Sequence, residues 1–162
     1  MYTHARMTSL RILLPALLLG GIVHAADNPY SGTWKIDTPK SNWSDGKFPK
    51  NMSLTITMSF QGDVVTYHSV NDTSKERPPS LVDYTARMDW KPAPLQGAAR
   101  YDKVSVRMLS ATQMEVIELK DNNVIVHAIY DLMPGGKRFA RRGMAISVDG
   151  SSHEYEEFFD KQ

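Results

Sequence analysis

The sequence predicts an all-β protein, an antiparallel up-and-down meander of about 8–9 strands closing into a small barrel. Three observations carry that prediction. Beyond residue 25 the apolar residues recur with period two, no stretch of a dozen residues has helical spacing, and hairpin-length turn signals separate the runs.

Residues 32–37 form the first run. In residues 52–60, Met52, Leu54, Ile56, Met58 and Phe60 alternate with Ser53, Thr55, Thr57 and Ser59, the pattern of a strand with one dry and one wet face. Residues 64–70 follow across a Gln61-Gly62-Asp63 turn, and residues 82–89 come next. Residues 103–109 and 113–119 are joined by Ser110-Ala111-Thr112, and a tight Asp121-Asn122-Asn123 turn leads into 124–132. Pro134-Gly135-Gly136 precedes residues 137–147, and Asp149-Gly150 precedes the last run, 153–159. Residues 39–50, 73–80 and 90–100 are polar or Pro-bearing and read as surface loops or lids. Barrel closure would remove the exposed edges that such a meander otherwise leaves.

Residues 1–25 read as a secretory signal peptide, and residues 26–162 as a single domain. Arg6 and Arg11 give a basic start, Ile12 to Val23 an apolar run, and Val23-His24-Ala25 a small-residue cleavage site. An apolar run of about 12 residues is short for a bilayer span. The expectation is therefore a periplasmic or secreted protein, cleaved after Ala25 and keeping no integral membrane anchor. An uncleaved anchor and initiation at Met7 are the alternatives. No cysteine follows the apolar run to accept a lipid, and no paired arginine marks twin-arginine export.

The chain has 162 residues and no cysteine, which excludes disulfides, thiol chemistry and Cys-ligated metals. A domain of roughly 137 residues buries roughly two-thirds of its unfolded surface, enough for a core without such staples. Lys and Arg number 19 against 18 Asp and Glu, and losing Arg6 and Arg11 leaves 17 against 18. A balance so near neutral gives no electrostatic drive toward nucleic acid or anionic membrane.

Asn28-Pro29-Tyr30-Ser31-Gly32-Thr33-Trp34-Lys35 resembles the G-x-W that opens the first strand of lipocalins. A wider set of blocks resembles small secreted bacterial lipocalin-like, calycin-type proteins of unassigned activity. These blocks are Gly32 to Asp37 with Lys40-Ser41-Asn42-Trp43, Asp83 to Asp89, Lys103-Val104-Ser105-Val106, Thr112 to Val116, and Phe158-Phe159-Asp160-Lys161-Gln162. The resemblance implies a lipocalin-like barrel and an exported location, and it brings no catalytic residues. It also gives Gly32 and Trp34 structural roles, the Gly permitting the turn into the first strand. By the same resemblance the Trp would plug the barrel floor under a stacked basic side chain, which Arg107 or Arg141 could supply.

Histidine is the first place to look for chemistry. His68 shares a face with Val64, Thr66 and Val70, and His127 with Ile125, Ile129 and Asp131. Pointing inward, they could act as acid and base beside Tyr84, Asp131 or Arg107. In the opposite register Val65 and Tyr67, with Val124, Val126, Ala128 and Tyr130, turn inward and the imidazoles face out. No His-x-His or His-Glu-x-x-His spacing supports a metal, and no G-x-S-x-G or phosphate loop supports a hydrolase or nucleotide site. Glu154, Glu156, Glu157 and Asp160 read as a solvated strand face, and Lys137 to Arg142 as a basic face balancing them.

The leading functional reading is a barrel that binds a small apolar or amphipathic molecule without chemistry, with no cofactor and no metal. Its expected lining is Leu54, Ile56, Met58, Tyr84, Met88, Val106, Met108, Val116, Val126 and Tyr130. The alternatives are a cavity enzyme of isomerase, hydratase or lyase type using His68 or His127 with Tyr84 and Asp131, and a protein-interaction module with a filled core and exposed Trp43 or Trp90.

Overall fold

The computed structural model describes residues 28–98 and 100–162. The leader and the proposed cleavage site after Ala25 lie outside the described residues.

The alternating runs become eleven strands: β1 (Gly32–Ile36), β2 (Asn42–Trp43), β3 (Leu54–Gln61), β4 (Val64–Asn71), β5 (Ser80–Arg87) and β6 (Ala93–Gln96), then β7 (Lys103–Ser110), β8 (Gln113–Lys120), β9 (Asn123–Leu132), β10 (Arg138–Ile146) and β11 (Ser152–Lys161). From β3 to β11 each strand pairs antiparallel with the next, and β1 bridges β3 and β11. The result is a closed ten-stranded antiparallel barrel. β2 continues the line of β1 along β11 after a short 3-10 turn at Thr38–Lys40. At that interruption Ser41 Oγ accepts the Phe158 N–H at 3.0 Å, standing in for a ladder carbonyl.

The meander is as expected, but the strand count is higher than 8–9. The additional strands lie in two segments expected to be loops. β6 is four residues long and holds Pro94, and it meets β5 and β7 through two residue pairs each. β2 is two residues long. Strands this short leave no period to read.

Local chemistry sets the turns. Asp121 and Asn122 both adopt positive φ, 51° and 64°, between the paired Lys120 and Asn123. That is the backbone a two-residue hairpin of the I′ type needs, and Asp and Asn tolerate it better than other side chains.

The inward residues form two layers along the barrel axis. One end is solid: Trp34, Tyr30, Phe139, Phe159, Ile56, Met58 and Met114 are fully buried there. Phe139 packs edge-on against Trp34 at 4.9 Å and stacks on Phe159 at 4.8 Å and Tyr130 at 5.3 Å. Trp34 Nε1 donates to the Tyr30 carbonyl at 2.8 Å. The Tyr30 hydroxyl lies between the carbonyls of Thr112 and Tyr130, at 2.8 and 2.7 Å. The basic group over Trp34 is Lys161, whose Nζ is 5.1 Å from the ring centroid, rather than Arg107 or Arg141. Gly32, at φ 126°, approaches that lysine so closely that a Cβ would sit 2.9 Å from its Cε. Arg107 stacks instead on Trp90, at 4.3 Å.

Candidate functional site

The other end of the barrel is hollow. A cavity of about 470 Å³ opens there, and β3, β4, β5, β8, β9, β10 and β11 all contribute to its wall. Its apolar wall comes from Leu54, Val82, Val126 and Ala145, each on the inward parity of its strand. Its mouth is formed by the segment 45–52 with Asn71, Ser80, Arg100, Tyr101, Ser147 and Val148. Part of that segment is pinned across the opening. The Met52 N–H donates to the Pro49 carbonyl at 3.0 Å, Thr38 Oγ1 donates to the Met52 carbonyl at 2.7 Å, and Asn51 Nδ2 donates to the Thr73 carbonyl at 3.1 Å. Phe48 packs edge-on against Trp43 at 5.6 Å, which in turn lies against His153 at 5.0 Å.

The inner part of the cavity is polar. Arg141 projects inward from β10 and donates through Nε to Glu157 Oε2 on the neighbouring strand at 2.9 Å, with Nη2 on the same oxygen. The other carboxylate oxygen of Glu157 accepts from Trp43 Nε1 at 3.0 Å. Both partners are largely enclosed, with side-chain exposures of 16% and 4%. The Arg141 guanidinium also lies 5.2 Å from the Phe159 centroid and 5.7 Å from that of Tyr155. Burial works against its charge, but Glu157 and the surrounding tyrosines hold its pKa above the ordinary arginine value.

Glu118 faces the same space from β8. Desolvation by burial in the barrel pushes its carboxyl up to about 7. Arg141, the Tyr101 hydroxyl and Arg100 oppose that shift, and Glu157 adds to it. No cation lies within ion-pair distance of Glu118 among the described residues. Burial keeps the hydroxyls of Tyr67, Tyr84, Tyr130 and Tyr155 protonated, so they remain neutral donors. Tyr67 stacks on Tyr84 at 4.6 Å where the hollow and solid layers meet.

The expected lining residues divide between the layers. Leu54 and Val126 line the cavity. Ile56, Met58, Tyr84, Val106, Val116 and Tyr130 are buried in the packed core, with Met88 and Met108 against it. The lining also has a polar part that the expected set does not include: Tyr67, Ser69, Glu118, Arg141, Tyr155 and Glu157. The alternation of Phe139, Arg141 and of Tyr155, Glu157, Phe159 is the signal that could have found the ion pair, since it puts both charges on an aromatic, inward face.

Both candidate histidines are on the outer wall. His68 Nδ1 is 2.6 Å from Asp83 Oδ1, and His127 Nε2 is 2.8 Å from Glu115 Oε1. Tyr84 is inside while Asp131 is outside, where it accepts from Gln113 Nε2 at 2.7 Å. The four residues of the cavity-enzyme reading are thus not brought together, and neither of its imidazoles reaches the cavity. Burial alone would raise the Glu115 carboxyl, but hydrogen bonds from His127 and Arg107 outweigh it and hold the group below the usual carboxylate range. His153 is the histidine at the mouth. Its Nδ1 faces both Ser147 Oγ, at 3.4 Å, and Asp45 Oδ2, at 4.0 Å. Because both approach the same nitrogen, they do not form the relay that activates a serine, in which the carboxylate holds the opposite ring nitrogen.

A second hollow, about 670 Å³, is open to solvent along the outer wall between His127, Asp131, Arg142, Met144 and Glu156. Arg142 there is engaged by Asp131 at 3.3 Å and Glu156 at 2.6 Å. Trp43 and Trp90, the proposed protein-docking residues, are half-buried, one in the cavity wall and one under Arg107.

No family model matches the sequence, and no curated protein matches it. Solved structures do match its shape. The Schistosoma mansoni fatty acid binding protein in complex with arachidonic acid aligns with a TM-score of 0.56 at 11% identity, over 85% of this chain and 99% of that one. The fatty acid transporter REP1-NXSQ gives 0.58 at 11% identity, over 82% and 95%. Zebrafish ileal bile acid-binding protein complexed with cholic acid gives 0.54 at 10% identity, over 83% and 99%. At such identities the likeness is one of fold: this chain is built as the same kind of closed antiparallel barrel.

Proposed function

We propose that this protein is an exported carrier that holds one small amphipathic molecule in the barrel cavity without altering it. The observation that carries the reading is the hollow layer itself. Its volume of about 470 Å³ falls within the range of roughly 300–1,000 Å³ usual for small-molecule sites. It also combines an apolar wall with a polar inner end, which is how such sites orient a ligand. The fold neighbours that hold arachidonic and cholic acid in barrels of this type add support by analogy. Export rests on the basic, apolar and small-residue order of residues 1–25, and delivery to the periplasm or beyond follows from it.

Native mass spectrometry of protein isolated from its host is the direct test. A retained small molecule is expected, together with an N-terminus at Ala26. Ala145→Trp fills the hollow from its wall and is expected to abolish both the retained molecule and the binding of an amphipathic fluorescent probe. Probe binding that survives Ala145→Trp unchanged would refute the cavity as the site.

A further inference from the structure

The enclosed end of the cavity holds two carboxylates, Glu118 and Glu157, against the Arg141 guanidinium, while Asp45, Lys47 and Arg100 stand at the exposed mouth, and the excess of acid at the enclosed end names a ligand class. Arg141, the cation at the enclosed end among the described residues, is bound by Glu157 through two of its nitrogens. The remaining Glu157 oxygen is taken by Trp43. An incoming carboxylate would therefore have to displace Glu157 from Arg141, leaving a buried acid without its partner, which is costly. Glu118 supplies a second carboxylate with no ionic partner among the described residues.

Around Glu118, β10 contributes Arg141, β11 contributes His153, Tyr155 and Glu157, β4 and β5 contribute Tyr67 and Tyr84, and β9 contributes Tyr130. Tyr101 and Arg100 approach from the segment before β7, and Asp45 and Lys47 lie at the mouth. Arg100, at the mouth, donates through Nη2 to the Ile146 carbonyl, and Asp102 is engaged by Lys120 at 3.3 Å. The deep end thus holds two carboxylates and one guanidinium, and several tyrosine hydroxyls that can accept or donate.

Resting on the carrier reading, we propose that the cavity selects an amphiphile with an amine head, which docks on Glu118 while its apolar part lies along Leu54, Val82 and Val126. The ammonium supplies the missing charge, and the tyrosine hydroxyls accept its remaining hydrogens. A carboxylate head of the same length meets two like charges and an occupied arginine.

The test compares a straight-chain amine, alcohol and carboxylic acid of equal length, by displacement of a fluorescent probe from the purified protein. At about pH 8.5, above the Glu118 value, the amine is expected to bind roughly tenfold or more tighter than the acid, the usual scale of a charge-assisted hydrogen bond. Its affinity falls toward about pH 5.5 as Glu118 takes up a proton. Glu118→Gln is expected to lower the amine-to-alcohol affinity ratio about tenfold, and Glu118→Asp, which keeps the charge, to preserve most of it. An acid that binds tightest, or an amine preference untouched by Glu118→Gln in a folded variant, overturns the inference and leaves the carrier reading standing. If none of the three displaces the probe, the inference falls, and the carrier reading is decided separately by the retained molecule and by Ala145→Trp.

Discussion

Glu118 shows how one buried residue can trade stability for recognition. Its carboxyl titrates at about 7 in the folded barrel, against an ordinary value of 4.5, because burial disfavours the charged form. A raised acid contributes stability that is fully present below the unfolded value, and that contribution is lost as pH rises through the folded one. The shift corresponds to roughly 3 kcal/mol at most between pH 4.5 and alkaline pH. Glu118→Gln removes this dependence, so thermal denaturation should show the variant gaining over the parent at about pH 8.5 and much less at about pH 5. An equal gain at both pH values would mean that Glu118 is not desolvated by the barrel. Asp160 has the opposite sign: Arg138 holds its carboxyl below the usual range, so its contribution is lost as pH falls. Comparing parent and Glu118→Gln at each pH cancels that background.

At the scale of single strands, β10 shows what could be read from sequence and what could not. Its pairing with β11 places Arg138 opposite Asp160, Arg141 opposite Glu157 and Arg142 opposite Glu156, so the expected balance of basic and acidic strands is present. Only the middle pair points inward. Period two tells that residues 139, 141 and 143 share a face, but not which face is inside. On β4, Val64 and Val70 flank His68 as convincingly as Val65 flanks Tyr67, and both parities look equally dry. The apolar strands were therefore legible, while the polar interior was hidden because a carboxylate in an alternating run normally marks solvent. Gly143 could not be interpreted from sequence either. A Cβ there would sit 1.9 Å from the His127 carbonyl oxygen and 2.9 Å from the Ala128 Cα, and both are backbone atoms that cannot swing away. Gly143→Ala must push β9 and β10 apart and is expected to cost about 3 kcal/mol or more in chemical denaturation. A cost below about 1 kcal/mol would show that the two strands can separate locally without loss.

Across the whole molecule, the question of a filled or a hollow barrel has a layered answer, and one strand samples both layers. On β3, Ile56 is fully enclosed in the solid half, while Leu54, two residues away on the same face, borders the cavity. Truncating a packed side chain removes its transfer free energy and also leaves a void whose cost grows with the volume that cannot collapse. Truncating one that already borders an open cavity merely enlarges that cavity. Ile56→Ala should therefore cost about 3–4 kcal/mol and Leu54→Ala about 1–2 kcal/mol, although the two remove the same number of carbons. Ligand binding should respond in the reverse order, because Leu54 belongs to the apolar wall and Ile56 lies among the side chains below it. Denaturant melts of both variants, each followed by probe titration, would check the two orders together. The layered barrel requires that they oppose each other: a core closed from end to end would make both truncations costly and neither relevant to binding, and a barrel hollow throughout would make both cheap.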